Sequence, residues 1–241
     1  MTDLYLGNRI VKDIYVGDKL ISQVFKGSQR IYSKLNPDDI IFQKSVAGTY
    51  NLDIITDGIY EVYCIGAGAG GGSGRKTRKS GSSIIIKNCT LTGGSGSGFI
   101  GEIELNRGNY QIVVGKGSNN AGKKVNGNYT INAGGNSSIG NIVISYGASG
   151  AVASGSIYTY NYSKSTGGQA PTINTEIISS TLNTAGNNGV HYDGTGHKDG
   201  GASVYNGYGA GGSANYDDYA YNGTDGYVKL VFKRFKENNN G

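Results

Sequence analysis

Residues 57–74, DGIYEVYCIGAGAGGGSG, decide the fold. The first half, IYEVYCIGA at 59–67, reads as a β-strand rich in β-branched and aromatic residues. Cys64 falls in its apolar pattern with Val62, which predicts a buried thiol. The second half is a glycine tract. It follows a strand as a phosphate-binding loop does, but no helical pattern follows it, and Gly74-Arg75-Lys76 lacks the P-loop spacing. A strand running into glycine is therefore the unit to trace along the chain.

Further runs of the same kind lie at 50–54 (YNLDI), 82–91 (SSIIIKNCTL), 99–105 (FIGEIEL), 110–115 (YQIVVG), 141–147 (NIVISYG) and 226–235 (GYVKLVFKRF). Asp57-Gly58 and residues 106–109 are turn signals between them. The chain holds 43 Gly in 241 residues, with 2 Pro and no Trp. Collagen is excluded, because it needs Gly at every third position with abundant Pro. Glycine at this density disfavours helices, each interior Gly costing about 1 kcal/mol relative to Ala. No apolar run approaches the roughly 20 residues that span a bilayer. The glycine tracts are interleaved with Tyr, Ile and Asn, which a flexible linker does not need. They are expected to pack as extended, polyproline-II-like segments, since backbones without side chains can approach and share hydrogen bonds. The expected fold is all-β: an N-terminal short-strand repeat module, then a glycine-rich β-sandwich-like domain with extended Gly-rich loops.

Residues 4–33 form three ten-residue units, LYLGNRIVKD, IYVGDKLISQ and VFKGSQRIYS. Tyr5, Tyr15 and Phe25 are in register, as are Gly7, Gly17 and Gly27. The Gly-Asn, Gly-Asp and Gly-Ser pairs suit two-residue hairpin turns. A unit this small cannot bury its own apolar face, so residues 1–36 read as an attachment or oligomerisation module. Residues 37–49, with Pro37, read as a connector, 50–236 as the glycine-rich domain with variable loops at 156–222, and 237–241 as a polar tail.

Together these parts resemble the glycine-rich domain of bacteriophage tail-fibre and baseplate proteins. The resemblance rests on DGIYEVYCIGAGAGGGSG, SGFIGEIELNRGNYQIVVGKG, GGNSSIGNIVISYGASG, a long Gly/Tyr region and GTDGYVKLVF, across about residues 55–235. The ten-residue repeats resemble those at the start of phage and prophage tail proteins. The tracts are similar, more loosely, to those of tail-fibre adhesins that present receptor-binding loops. The same parts occur in tail-like bacteriocins. The resemblance implies a structural tail component that often contacts the host surface; no Ser-His-Asp order with a nucleophile elbow occurs, so neither an enzyme nor a cofactor is expected. Its partners would be other tail or baseplate proteins and a bacterial surface glycan or wall polymer; repeats that pair between chains would favour a homo-trimer, with a monomeric tip on a trimeric fibre as the alternative. Nucleic acid and membrane insertion are not implied. The Met1 start lacks an apolar signal region, which fits assembly in the bacterial cytoplasm and placement in the particle's tail.

Candidate contact residues are Tyr158, Tyr160, Tyr162, Tyr192, Tyr205, Tyr208, Tyr216, Tyr219 and Tyr221, mixed with Asn206, Asp217 and Asp218. Tyr offers a rigid apolar face with a hydroxyl, and Asn and Asp add adaptable hydrogen bonds, a chemistry that suits sugar rings. The competing reading has these rings covering glycine backbone. Arg75, Lys76, Arg78 and Lys79 read as a basic loop able to meet an anionic surface. His191, Asp193, His197 and Asp199 are weak metal candidates, because ordinary polar turns explain the same residues. Glu102 and Glu104 alternate on one strand face, too little for glycoside hydrolysis. The architectural alternative is a baseplate or connector subunit that never meets a receptor.

Overall fold

The computed structural model describes residues 35–119, 125–126, 129–155, 160–192, 197–215 and 220–236, with only the backbone at 75–79, 84–88, 125–126, 155, 160 and 215, and the backbone of strand residues between Tyr5 and Ser33. Within these residues every regular element is a β-strand.

The repeats form three separate hairpins: β1 (Tyr5–Leu6) with β2 (Arg9–Ile10), β3 (Ile14–Val16) with β4 (Lys19–Ile21), and β5 (Gln23–Lys26) with β6 (Gln29–Ser33). Leu6 pairs with Arg9, Val16 with Lys19 and Lys26 with Gln29, which leaves two residues in each connection. The connecting Gly7, Gly17 and Gly27 lie outside the described residues.

Two antiparallel five-stranded sheets follow. The first runs β21 (Ile177–Thr184), β12 (Gly98–Leu105), β9 (Gly58–Ile65), β25 (Tyr227–Phe235), β7 (Ile40–Lys44). The second runs β20 (Thr172–Ile173), β17 (Val143–Ser145), β16 (Ser137–Ile139), β13 (Gly108–Val114), β8 (Gly48–Ile54). Tyr60, Val62, Cys64, Ile103, Leu105, Leu230 and Phe232 of the first meet Ile54, Ile112, Val114, Ile139 and Val143 of the second in one core. Burying each large side chain contributes about 1.5–3 kcal/mol. Tyr50, Tyr60 and Tyr110 each donate a hydroxyl to the carbonyl four residues back, at 2.8 Å, so the chain entering each strand is pinned. Residues 40–44, read from sequence as connector, are instead the edge strand β7, paired with β25.

The glycine tracts leave this sandwich in parallel and antiparallel rods. From residues 66–71, Gly66 and Ala69 donate to Ser97 and Gly94, Gly68 and Gly71 to Thr224 and Tyr221, and Ala67 to Gly135. Each repeated partner recurs after three residues, the period of a polyproline-II helix. The same tract accepts from Ala148, Ser118 and Gly212, so six neighbours surround it. Residues 92–97 repeat the pattern: Thr92 and Ser95 donate to Val190 and Asn187, and Gly93 and Gly96 to Gly212 and Gly209. Packing is so close that a Cβ on Gly68 would lie 1.9 Å from the Ala210 carbonyl oxygen, and one on Gly93 1.9 Å from that of Ala69. Buried serines bridge the rods, as where Gly94 donates to Ser165 Oγ at 2.8 Å and Gly115 to Ser137 Oγ at 2.9 Å.

Beyond the bundle lies a second set of strands. These are the long hairpin β10 (Gly72–Ser80) and β11 (Ser83–Leu91), β14 (Val125–Asn126), β15 (Tyr129–Ile131), β18 (Ala151–Gly155), β19 (Tyr160–Tyr162), β22 (His191–Tyr192), β23 (His197–Lys198) and β24 (Ala214–Asn215). Cys89, Leu91, Tyr129, Ile131, Ala148, Ala151 and Ala153 give it a small core. Both cysteines are buried, and no disulfide joins them. The chain shuttles between sandwich and far end through successive glycine tracts, and six residues of such a tract span about 19 Å.

Candidate functional site: the far loop face

This shuttling delivers strands from five stretches of the chain to the far end: β10 and β11, β14 and β15, β18 and β19, β22 and β23, and β24. They are spread between residues 72 and 215 of the sequence but joined in space. β14 and β22 flank the β10–β11 hairpin, with Gly74 opposite Val125 and Leu91 opposite His191, and β23 pairs with β24. A rigid scaffold carrying irregular segments at one end is a common arrangement for recognition.

The described side chains here form aromatic pairs. The Tyr162 ring stacks on His191 at 3.4 Å between centroids and 20° between planes. Lys198 Nζ stands 4.5 Å from the centre of the Tyr192 ring, within cation–π range. His197 meets Tyr221 edge to face at 6.4 Å and makes a 2.9 Å hydrogen bond with Asp199. Tyr162 is 43% exposed and Tyr221 53%, and Val152 and Val190 are exposed nearby. Apolar ring faces and polar edges are thus offered together to solvent.

The fold divides the sequence-predicted residues. Tyr162, Tyr192, Tyr221, His191, His197 and Asp199 reach the far face, and so does the backbone of Tyr160. Tyr158, Tyr216, Tyr219, Asp193, Asp217 and Asp218 lie outside the described residues. Among the described residues no three His, Cys, Asp or Glu side chains are grouped for a metal. Arg75, Lys76, Arg78 and Lys79, read as a loop, belong to strand β10. Its pairing with β11, which carries three consecutive Ile, overrides the weak strand preference of Gly, Lys and Ser.

Tyr205, Asn206 and Tyr208 are at the opposite end, on the outer face of the sandwich. Asn206 and Gly207 have φ of 45° and 81°, the two positive angles of a type I′ turn. That turn lays the Tyr208 ring flat on Tyr227, 4.4 Å away and 9° from parallel. Tyr205 meets Tyr63 at 5.6 Å, and Lys229 Nζ sits 5.1 Å from the Tyr63 ring centre. Burial, with Glu61 beside it, pushes the Tyr63 hydroxyl up to about 12. Burial and the neighbouring tyrosines do the same for Tyr227. Tyr63 and Tyr227 went unnoticed as partners in sequence, because each sits in a strand far from the Tyr-rich region. Glu102 and Glu104 are paired with Arg234 at 2.8 Å and Lys236 at 2.6 Å.

A two-sheet sandwich, a three-residue-period glycine bundle and a loop-bearing far end define a glycine-rich all-β domain. Residues 44–239 match the glycine-rich domain family, and the chain belongs to that family. No curated protein matches it.

Proposed function

We propose that this protein is a tail-fibre or baseplate-tip component of a phage or tail-like bacteriocin, and that it attaches to the bacterial surface through the far loop face. The single observation that carries this reading is the delivery of five Tyr-, Asn- and Lys/Arg-bearing segments to one end of a glycine bundle. The hairpin repeats precede the sandwich, at whose edge β7 begins, and would dock to the tail or join identical chains. Binding is non-covalent. Copies on one particle would gain avidity from individually weak sites. The phage assignment itself rests on the resemblance of the repeats and of the strand–glycine order. The architectural alternative draws support from Tyr205 and Tyr208, which show that tyrosines in this region also serve as packing.

Adsorption of the purified protein to a panel of intact bacteria tests the reading. Tyr162→Ala with Tyr192→Ala and Tyr221→Ala should abolish saturable binding while the circular dichroism spectrum is retained. Binding that survives in this folded variant would sink the far-face assignment, and no binding by the parent protein would favour the architectural role.

A further inference from the structure

We propose that the β10–β11 ribbon binds a linear phosphodiester polymer of the bacterial wall, of the poly(glycerol phosphate) kind. This deepens the attachment reading, and rests on it for the polymer's biological source though not for the binding itself. Residues 75–88, RKTRKSGSSIIIKN, carry Arg75, Lys76, Arg78, Lys79 and Lys87 and no acidic residue. The whole chain has 22 basic and 17 acidic residues, so removing these five leaves 17 of each. The net charge of +5 is thus matched by one ribbon.

Register sharpens the point. Lys76 stands directly opposite Lys87, and Arg78 opposite Ile85, on the same ribbon face, because alternate rungs share a face. Like charges placed opposite each other destabilise a strand pair, and an anion between them reverses the sign. Lys76 and Arg78 repeat along that face at roughly 7 Å, the advance of two strand residues, so successive cations can meet successive anions of a polymer. Among the described residues no third strand pairs with the ribbon beyond Arg75 on one side and Thr90 on the other. The tip residues Ser80, Gly81, Ser82 and Ser83 are exposed. Arg matches phosphate oxygens bidentately, whereas Lys supplies point charge. Nucleic acid is the poorer fit, because residues 72–91 contain no aromatic residue or His on which a base could stack.

The test measures binding of the full chain to poly(glycerol phosphate), with neutral dextran, single-stranded DNA and phosphatidylglycerol vesicles alongside. Selective binding to the phosphate polymer that weakens steeply with salt is expected. Lys76→Gln, Arg78→Gln and Lys87→Gln together should weaken it at least tenfold, whereas Lys76→Arg with Lys87→Arg should retain it and guards against a folding artefact. Undiminished binding in a folded Gln variant, equal binding to dextran, or tighter binding to DNA or vesicles would overturn the proposal. Adsorption to cells that depends on Tyr162, Tyr192 and Tyr221, but persists in the Gln variant, would leave the attachment reading standing without the ribbon.

Discussion

At Gly93 the fold tolerates no side chain, since the Cβ position lies 1.9 Å from the Ala69 carbonyl oxygen and 2.6 Å from that of Gly70. Both obstacles are backbone held in the bundle by hydrogen bonds, so neither can swing away. Gly93→Ala should cost about 3 kcal/mol or more, at the upper end of overpacking penalties. Gly108→Ala is the matched comparison, because its Cβ would meet only Tyr110, at 3.8 Å, and should change stability by less than about 0.5 kcal/mol. Urea denaturation of the two variants checks the contrast, and equal midpoints would refute the close-packed bundle. Cys64 gives a second residue-scale expectation. Burial pushes its thiol up to about 12, with Ser145 opposing in part, and Ser145 Oγ donates to the Cys64 carbonyl at 2.7 Å. Thiol reagents at pH 8 should leave Cys64 unmodified in the native protein and label it promptly in denaturant, and rapid native labelling would contradict the sealed core.

Among elements, the Tyr205–Tyr208 turn separates packing from recognition. Its rings cover Tyr227 and Tyr63, so Tyr205→Ala with Tyr208→Ala should lower stability by about 1–2 kcal/mol and leave cell adsorption unchanged, because aromatic pairs add about 0.5–1.5 kcal/mol beyond area burial. Loss of adsorption in the folded double variant would return this turn to the contact surface. Sequence placed it with Tyr162 and Tyr221 because all lie in one Tyr-rich region, and linear proximity carries no information about which end of a rod a residue occupies. Strands with strong β-branched or aromatic patterns, such as 59–65 and 227–235, were legible. β10 and β21 were not, because Lys, Gly and Ser weaken their local preference and pairing to β11 and β12 decides them, whereas β7 has strand-forming Ile40, Ile41 and Phe42 but lies close to the break that Pro37 marks. Packing of the tracts was legible in kind, from aromatic interleaving, but not the three-residue matching of Gly68 and Gly71 to Thr224 and Tyr221.

For the molecule as a whole, repeated crossing couples the two ends. The sandwich strands β9, β17 and β21 continue directly into a tract of the bundle and β12, β16 and β25 emerge from one, and β10, β11, β15, β18 and β22 begin or end at the far ends of such tracts. Neither strand set can therefore come apart without releasing tract ends. Alkaline pH offers a selective way to load one end. Tyr63 and Tyr227 titrate near 12 in the native protein against 10 for free tyrosine, mainly because burial disfavours the phenolate, and Tyr60 is raised further by its burial and by Asp57. A folded-state value above the unfolded one means stability that is complete below pH 10 and lost as pH rises toward 12. All three tyrosines belong to the sandwich, so the strain begins there. With the ends coupled through the bundle, hydrogen exchange of tract amides such as Gly68 and Gly93 should accelerate, beyond the intrinsic base-catalysed rise, over the same pH 10–12 interval in which tyrosinate absorbance appears and β circular dichroism falls. Coincidence of the three signals is the mark of one cooperative unit. Tract protection that outlasts loss of the sandwich signal would show instead that the glycine bundle holds itself together.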